Sequence, residues 1–457
     1  MKIDYGPLLT DRYQLTMLQA YWQHEMHGTA VFEFFVRKLP PERNFLVAAG
    51  LEPALEFLEE FAFAQEEIDW LAQAERFRPD FLQWLKGMRF TGDANAMPEG
   101  TVFFPNEPIL QIIAPLPEAQ LVETRLINFL NFQTAVASKA ARSRLVAPDK
   151  LLVEFGLRRA HGADAALMAA RACYIVGFQG TSNVLAGRLF DIPLYGTMAH
   201  SFIQAHEDEA EAFENFADAN SGDIVLLLDT YETEAAAEKV TRLAAAWKER
   251  GIKIKGVRID SGDLGSEARN VRAILDKAQL RDITIFASGN LDEYVLRDLI
   301  EIQAPIDGFG IGTKLDTSSD APYLNCAYKL QEYAGRPRRK HSEGKATWPG
   351  RKQVHRTLDD VGRMTGDVLD FHDETFAGGL LAPVMRKGER LAQPTPLADV
   401  RQYARNQLAQ LSDRLRTLDR CDPYAVSISP SLKECARALD TQNVRTRTST
   451  TRPEWAK

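Results

Sequence analysis

The chain has 457 residues, of which 45% are hydrophobic and 26% are charged, the balance typical of a water-soluble globular protein. We expect two or three domains, because a single hydrophobic core stops growing well below this length. The net charge of −8 argues against nucleic-acid binding as the main function, although it allows local basic pockets for phosphate groups.

The cysteines and the N-terminus indicate the cellular compartment. The four cysteines form no CxxC pair, so the sequence predicts neither a zinc ribbon nor a disulfide framework. Residues 1–7 show neither the apolar segment nor the cleavage site of a signal peptide. No window approaches the roughly 20 apolar residues that a membrane span needs. We therefore expect a cytoplasmic protein without membrane contacts.

The first third of the chain has a mixed pattern. Residues 8–24 predict a capped helix, and residues 29–36 predict a strand with alternating apolar side chains. Residues 50–87 are helical in pattern, and short strands broken by glycine and proline follow between residues 90 and 115. This pattern favours an α+β domain with a small antiparallel sheet, followed by a long linker helix over 117–145.

From about residue 150 the pattern changes to six or seven consecutive strand–helix units. The strands are almost wholly apolar, which predicts a parallel sheet buried on both faces. A closed or nearly closed α/β barrel fits this pattern best, and a doubly wound open sheet is the alternative. The predicted strands begin near Leu151, Phe178, Pro193, Asp223, Ile254, Ile283 and Ile306.

These patterns divide the chain into three parts. Residues 1–145 form the α+β domain with its linker helix, and residues 340–395 complete it by rejoining its sheet. Residues 146–335 form an irregular, incomplete α/β barrel that carries catalysis. Residues 396–457 form a helical extension with a flexible tail. The basic loop 336–345 is typical of a solvated surface, and its role stays open.

Polar or small residues follow every predicted strand of the barrel. Because the carboxyl ends of parallel strands meet at one edge, these residues predict the rim of an active site. The rim consists of residues 155–159, 180–182, 196–197, 229–230, 258–262, 287–290 and 310–313.

His200 stands out in this series. A short strand over Pro193–Thr197 precedes it, and an acidic amphipathic helix is expected to run from it to Phe216. A helix N-terminus at the end of a strand attracts anions through its free N–H groups and its dipole. The alternative is a histidine that only caps the helix.

Three further rim segments have chemistry of their own. Gly310-Ile311-Gly312-Thr313 suits a phosphate cradle, although a tight turn explains it as well. Arg258 and Asp260 share one side of a strand and suit a carboxylate substrate together with hydroxyls or a metal; an internal ion pair is the alternative. Phe155, with Arg158 and Arg159 after it, suits a flat ring near phosphates, or else plain core packing.

Taken together, these motifs resemble the nicotinate phosphoribosyltransferases over nearly the whole chain. The resemblance implies a type II phosphoribosyltransferase fold, in which an α+β domain accompanies an irregular α/β barrel. It also implies a homodimer with active sites between the subunits. The matching segments are Leu8–Met17, Glu123–Arg142, Phe155–Gly162, Gly177–Gly187, Gly196–Ser201, Gly256–Leu264, Phe286–Leu291 and Gly308–Leu315.

The resemblance implies the reaction of nicotinate with phosphoribosyl pyrophosphate, coupled to ATP hydrolysis, to give nicotinate mononucleotide and pyrophosphate. This is the first step of NAD salvage from nicotinate. By resemblance, His200 is transiently phosphorylated by ATP, and Asp229 orients its second ring nitrogen. Magnesium accompanies the pyrophosphate, and no side chain is assigned to the metal.

The resemblance also assigns the binding residues. Thr197 and Arg258 match nicotinate-pocket positions, and Tyr13 of the partner subunit is expected to stack the pyridine ring against Phe155. By the same resemblance, Arg158 binds phosphates and Asp260 binds the ribose hydroxyls. Gly312 and Thr313 bind the 5′-phosphate.

One position separates related enzymes. The nicotinamide-using relative has an aspartate where this chain has Ser182, and a carboxylate there would repel the acid substrate. Nicotinamide and quinolinate phosphoribosyltransferases remain the enzymatic alternatives. A barrel lyase would need a Schiff-base lysine at a strand end, and none of the predicted strand ends offers one. A regulatory paralogue without activity is expected to have lost His200, Arg258 or Asp260, and all three are present.

Overall fold

The computed structural model describes residues 6–220, 223–342, 345–372 and 378–449. The chain forms two compact units, which meet along the sequence at Ala135/Val136. This junction lies inside a long helix. The first unit comprises Met1–Ala135, Tyr323–Leu415 and Asp419–Lys457, and the second comprises Val136–Pro322 and Arg416–Leu418.

The first segment of the chain alternates short helices with strands. Its strands are β1 (Thr29–Val36), β2 (Leu46–Val47), β3 (Asp93–Ala96), β4 (Val102–Phe103) and β5 (Pro108–Pro115). Its helices are α1 (Arg12–Gln23), α2 (Leu51–Glu59), α3 (Gln65–Ala74), α4 (Pro79–Lys86), α5 (Leu116–Leu121) and α6 (Glu123–Val146).

The second unit has the predicted strand–helix alternation. Its strands are β6 (Leu151–Glu154), β7 (Gly180–Thr181), β8 (Asp223–Leu227), β9 (Lys253–Ile259), β10 (Thr284–Ser288) and β11 (Gly308–Ile311). Its helices are α7 (Ala163–Ile175), α8 (Val184–Phe190), α9 (His200–Gln204), α10 (Glu209–Ala219), α11 (Thr233–Glu249), α12 (Leu264–Lys277), α13 (Glu293–Glu301) and α14 (Thr313–Asp316).

The last part of the chain returns to the first unit. Its strands are β12 (Cys326–Tyr333), β13 (Arg336–Pro337), β14 (Lys352–Leu358), β15 (Met364–Phe371), β16 (Ala382–Arg386), β17 (Glu389–Arg390) and β18 (Val426–Ile428). Its helices are α15 (Leu397–Ala409), α16 (Asp413–Arg416) and α17 (Pro430–Ser449).

The first unit is built around a seven-stranded sheet in the order β13-β12-β1-β5-β3-β16-β17. Its pairs are antiparallel, and seven of the eight residues of β1 are buried because neighbouring elements cover both faces. β12 pairs with β1 and β16 pairs with β3, so strands from late in the chain rejoin the N-terminal sheet. β14, β15 and β18 form a separate three-stranded sheet.

The second unit contains a six-stranded parallel sheet in the order β7-β6-β11-β10-β9-β8. Apolar residues such as Leu152, Val257 and Ile285 are buried on it, as expected for strands covered on both faces. The edge strands β7 and β8 are not neighbours in this order, so the sheet curls without closing. The prediction of an irregular, incomplete α/β barrel beside an α+β domain is confirmed.

The predicted strand over Pro193–Thr197 is wrong in extent. Only Leu194 forms a β-bridge there, with Thr181 at the edge of the sheet. Proline has no N–H to donate to a ladder, and Gly196 has no side chain to pack, so the segment runs as irregular chain beside β7.

The predicted single helix from His200 to Phe216 is also wrong. The chain forms α9, of five residues, and then α10, with an extended backbone at Asp208 before the second helix. Aspartate favours such a helix-entry position over a helix interior. The rings of Phe202 and Phe216 pack 5.8 Å apart across the break, which explains the continuous apolar pattern.

The C-terminal region is helical as far as Ser449, and the rest of the expected flexible tail lies outside the described residues. In the basic loop, Arg339 and His341 pair with Asp440 of α17, at 3.4 and 3.0 Å. The loop's residues 343–344 also lie outside the described part. Among the helices that the structure describes, none has the length and apolarity to cross a bilayer.

Candidate active site

The parallel registers bring the predicted rim residues to one edge of the second unit's sheet. Glu154, the last residue of β6, stands beside Thr181 on one side and Ile311 on the other. Arg258 stands beside Phe286, and Ser288 beside Gly310. Six strand ends from distant parts of the chain therefore meet at this edge, where the sequence predicted seven.

Arg258 and Asp260 form the charged centre of the edge. Arg258 Nη2 donates to Asp260 Oδ1 at 2.7 Å, and its Nε donates to Ser288 Oγ at 2.8 Å. The Ser288 hydroxyl donates in turn to Asp260 Oδ1. Burial alone would raise the pKa of Asp260, but the Ser288 hydrogen bond and the Arg258 charge outweigh it, so the pKa is lowered. Asp260 is therefore a carboxylate at neutral pH.

Phe155 lies directly beside this pair. The Arg258 guanidinium carbon is 5.8 Å from the centroid of the Phe155 ring, within cation–π range. Phe286 packs at a tilt, with its ring centroid 5.7 Å away. A Cβ built on Gly310 would come within 2.5 Å of the Phe155 ring, so the glycine lets the ring lie flat over the sheet edge.

His200 contacts the edge through both ring nitrogens. Its Nδ1 is 3.1 Å from Thr230 Oγ1, and its Nε2 is 3.9 Å from Asp260 Oδ2. The side chain is 40% exposed, so a ligand can reach it. Because α9 has only five residues, the position depends more on these side-chain contacts than on a helix dipole.

The predicted contact between Asp229 and His200 needs correction. Asp229 Oδ2 accepts from the Asp260 backbone N–H at 3.0 Å and from the Ser261 hydroxyl. Its Oδ1 is buried without a hydrogen-bond partner among the described residues. The chain beyond β8 turns this carboxylate toward the residues after β9, and Thr230 contacts His200 instead.

Thr197 and Ser182 lie at the same edge with different constraints. The Thr197 hydroxyl donates to the Val225 carbonyl of β8, which anchors the irregular segment before His200. The Ser182 backbone N–H donates to the Glu154 carbonyl at 2.9 Å. Ser182 is half-buried beside the end of β6.

Gly312 and Thr313 form a tight turn from β11 into α14. A Cβ on Gly312 would come within 2.7 Å of the Phe155 carbonyl oxygen, so only glycine allows this approach. Thr313 Oγ1 lies 3.4 Å from Nη1 of Arg159, and Arg158 is exposed beside it. A glycine, a hydroxyl and the Arg159 guanidinium group are therefore gathered at this point.

Tyr13 belongs to the first unit, on α1. It is 50% exposed, and its hydroxyl accepts from Gln14 Nε2 at 3.0 Å. The same amide donates to Glu123. Burial of the Tyr13 phenol raises its pKa most, and the charge of Glu123 raises it further. Tyr13 thus offers an exposed aromatic face.

No group of three or more His, Cys, Asp or Glu side chains is arranged to hold a metal among the residues described. Mg²⁺ usually takes one or two protein carboxylates and completes its shell with water and substrate phosphates. Asp229 and Asp260 fit this requirement, because Asp229 Oδ1 is unpaired and Asp260 is held ionised.

Sequence reasoning missed Thr230, Ser288 and Ser261 as members of the site. All three belong to polar strand ends that the sequence marked, but their partners lie 28 to 32 residues away in the chain. Glu154 was also missed, although an acid inside the apolar run Leu151–Phe155 was a visible signal.

The aromatic ring, the ion pair, the exposed histidine and the glycine turn meet at the carboxyl ends of parallel strands, which is where α/β enzymes place their active sites. Three models of one enzyme family match successive parts of the chain. They describe the nicotinate phosphoribosyltransferase N-terminal domain over residues 8–131, the family's core over 151–360 and its C-terminal domain over 376–436. The chain belongs to the nicotinate phosphoribosyltransferase family.

Individual relatives agree with this family. The chain is 49% identical over 427 residues to nicotinate phosphoribosyltransferase pncB2 of Mycobacterium tuberculosis, covering 93% of this chain and 92% of that protein. It is 38% identical to the Bacillus subtilis nicotinate phosphoribosyltransferase, covering 94% of each. The crystal structure of human nicotinic acid phosphoribosyltransferase superposes with a TM-score of 0.85 at 30% identity, covering 94% of this chain and 99% of that one.

Proposed function

We propose that this protein is an ATP-coupled nicotinate phosphoribosyltransferase. It converts nicotinate, phosphoribosyl pyrophosphate, ATP and water into nicotinate mononucleotide, pyrophosphate, ADP and phosphate. The observation that carries the proposal is the Arg258–Asp260–Ser288 cluster under the Phe155 ring, at the strand edge of a family member.

The nicotinate pocket is proposed to lie over Phe155. The pyridine ring stacks on the aromatic face, and the carboxylate pairs with Arg258, whose guanidinium already points toward that ring. Thr197 adds a hydroxyl oxygen next to the pocket. Ser182 leaves the pocket free of negative charge, which favours the acid over the amide substrate.

The phosphoribosyl pyrophosphate site is proposed for the neighbouring strand ends. Asp260 accepts hydrogen bonds from the ribose hydroxyls through Oδ2, since its Oδ1 is occupied by Arg258 and Ser288. Gly312 and Thr313 hold the 5′-phosphate, and Arg158 binds phosphate oxygens. Asp229 and Asp260 would hold a magnesium ion, which neutralises charge on the departing pyrophosphate.

His200 is proposed to accept the γ-phosphoryl group of ATP. If Nδ1 donates its proton to Thr230, Nε2 keeps the lone pair that attacks phosphorus. The Nε2–P bond forms as the bond to the β-phosphate oxygen breaks, and ADP leaves. Water later attacks the same phosphorus, which releases phosphate and returns the neutral imidazole. Asp229 positions the Asp260 segment beneath this imidazole.

The remaining assignments follow from the family resemblance. The protein works as a cytoplasmic homodimer, with Tyr13 of the partner subunit completing the ring pocket of Phe155. It supplies the first step of NAD salvage from nicotinate. The half-exposed ring of Tyr13 supports the proposed dimer, because an exposed aromatic face can stack on the flat ring bound in the partner subunit.

The proposal is tested by incubating the full-length protein with phosphoribosyl pyrophosphate, magnesium and ATP, and offering nicotinate, nicotinamide or quinolinate in parallel. We expect mononucleotide from nicotinate, with ADP formed in step with it. Mononucleotide from nicotinamide or quinolinate at a higher kcat/KM would contradict the assignment.

A further inference from the structure

Glu154 is a buried acid that links two strand ends. It ends β6, and its side chain is fully buried although the preceding residues of the strand are apolar. The Gly156 backbone N–H donates to its Oε1, and the Thr181 hydroxyl donates to its Oε2. Its backbone carbonyl accepts from Ser182. Both carboxylate oxygens therefore receive hydrogen bonds. The Gly156 N–H can only donate, and the Thr181 hydroxyl accepts from the Asn183 backbone N–H at 2.9 Å while it donates to Glu154.

A second buried carboxyl group packs against the same turn. Asp316 ends α14, one turn after Thr313, and is also fully buried. It packs so tightly against Gly156 that a Cβ there would lie 2.1 Å from Asp316 Cγ. Neither Asp316 oxygen has a partner with ordinary hydrogen-bond geometry among the described residues.

The surroundings favour a protonated Asp316. Burial, and then the neighbouring Glu154 carboxylate, raise the pKa of Asp316 well above its usual range. Burial also raises the pKa of Glu154, but the Thr181 and Gly156 hydrogen bonds oppose this rise. Cys173 of α7 is also fully buried, and burial above all raises the pKa of its thiol, so it stays neutral.

We propose that Glu154 is a positioning residue that fixes the substrate-binding ends of β6 and β7 relative to one another, with the buried Asp316 of α14 as its neighbour at the Gly156 turn. Glu154 touches no substrate. It holds the turn after Phe155 through Gly156, and it holds the Ser182 position through Thr181. Asp316 packs against Gly156 at the same turn, which seats α14 and the Thr313 turn before it. This inference rests on the proposed function, because the substrates are those assigned above.

The test compares conservative substitutions in the full-length protein. Glu154→Gln places an amide N–H group against either the Gly156 N–H or the Thr181 hydroxyl, so one of the two hydrogen bonds is disturbed. Thr181→Val removes the donating hydroxyl at nearly constant side-chain volume. We expect each to raise KM for nicotinate and for phosphoribosyl pyrophosphate about tenfold, as loss of one charge-assisted hydrogen bond would, with kcat changed less than about threefold. The control Thr181→Ser keeps the hydroxyl, and Asp316→Asn keeps a neutral donor, so both should stay within about twofold of wild type.

The result that would overturn the proposal is a Glu154→Gln or Thr181→Val enzyme with unchanged KM values, or one whose kcat falls with its melting temperature at constant KM. A second readout does not need activity. The infrared difference spectrum of wild type minus Asp316→Asn at neutral pH should contain the C=O stretch of a protonated carboxylic acid, since other buried acids such as Glu107 contribute equally to both spectra. If this band is present in an enzyme inactive on nicotinate, the proposed function fails while the pairing stands; without the band, the pairing itself fails.

Discussion

Arg258 and Asp260, two residues apart on and just after β9, bind each other at 2.7 Å, and Ser288 of the neighbouring strand bonds to both. The sequence left open whether these residues form an internal ion pair or bind substrate. The pair forms, yet the Asp260 side chain remains 30% exposed. The same contact therefore holds the two groups in place and leaves both of them able to reach a ligand.

The first prediction concerns Arg258→Lys. An ammonium group cannot reproduce the planar fork that reaches Ser288, Asp260 and a substrate carboxylate together. We expect KM for nicotinate to rise at least tenfold, with a smaller rise for phosphoribosyl pyrophosphate. Steady-state kinetics measure this split, and Arg297→Lys on the outer face of α13 is the control. Equal effects on both KM values would show that Arg258 only supports Asp260.

The second prediction concerns the pH dependence of stability. Because the pKa of Asp260 is lowered in the folded state, its ionised form adds stability above the unfolded pKa, near 3.9. This contribution is lost as pH falls through the lower folded pKa. Asp260→Asn should therefore lower the free energy of unfolding by a constant amount above about pH 5, and by a smaller amount below about pH 4. Denaturant unfolding across this range measures the difference. Asp360→Asn, at an exposed carboxyl, is the control, and a cost that grows toward acid pH would contradict the account.

The third prediction concerns the glycine beneath the ring. Gly310→Ala places a methyl group 2.5 Å from Phe155 and 3.0 Å from Phe286, so the Phe155 ring must move. We expect KM for nicotinate to rise about tenfold, because the stacking face shifts. Gly87→Ala serves as the control, because the backbone at the end of α4 has a negative φ and the added Cβ would have no atom closer than 3.5 Å. An unchanged nicotinate KM would mean that the ring does not bind on Phe155.

How far the sequence alone predicted this site depends on the range of the interactions. Strand and helix patterns are local, so the alternation of the second unit and strand β1 were predicted to within a few residues. The strand ends were identified because their polarity is also local. The contact of His200 with Thr230 depends instead on how segments 30 residues apart are placed, and sequence spacing does not determine that.

Two predictions were wrong because they concern contacts that local sequence patterns do not determine. The helix break before Asp208 is hidden in the sequence, because Phe202 and Phe216 meet across it and imitate one continuous face. Asp229 was expected beside His200 from the family resemblance, which does not determine how this chain turns after β8. The structure turns Asp229 toward Asp260 and Ser261, which no periodicity predicts.

The fourth prediction concerns substrate choice. Ser182→Asp adds a carboxylate near the proposed nicotinate pocket, where it repels the acid substrate. We expect kcat/KM for nicotinate to fall at least tenfold, while Ser182→Asn, which adds similar volume without charge, loses less. Competition assays with nicotinate and nicotinamide measure the effect. Unchanged nicotinate kinetics in Ser182→Asp would show that this position does not select the substrate.

The most direct test of the account concerns His200. Wild-type protein and His200→Ala are incubated with ATP labelled in the γ-phosphate, and protein-bound label is counted before and after acid treatment. We predict an acid-labile label on the wild type that disappears when nicotinate and phosphoribosyl pyrophosphate are added, and no label on His200→Ala. A wild-type protein without acid-labile label, or an equal label on His200→Ala, would contradict the role of His200 as the phosphoryl acceptor.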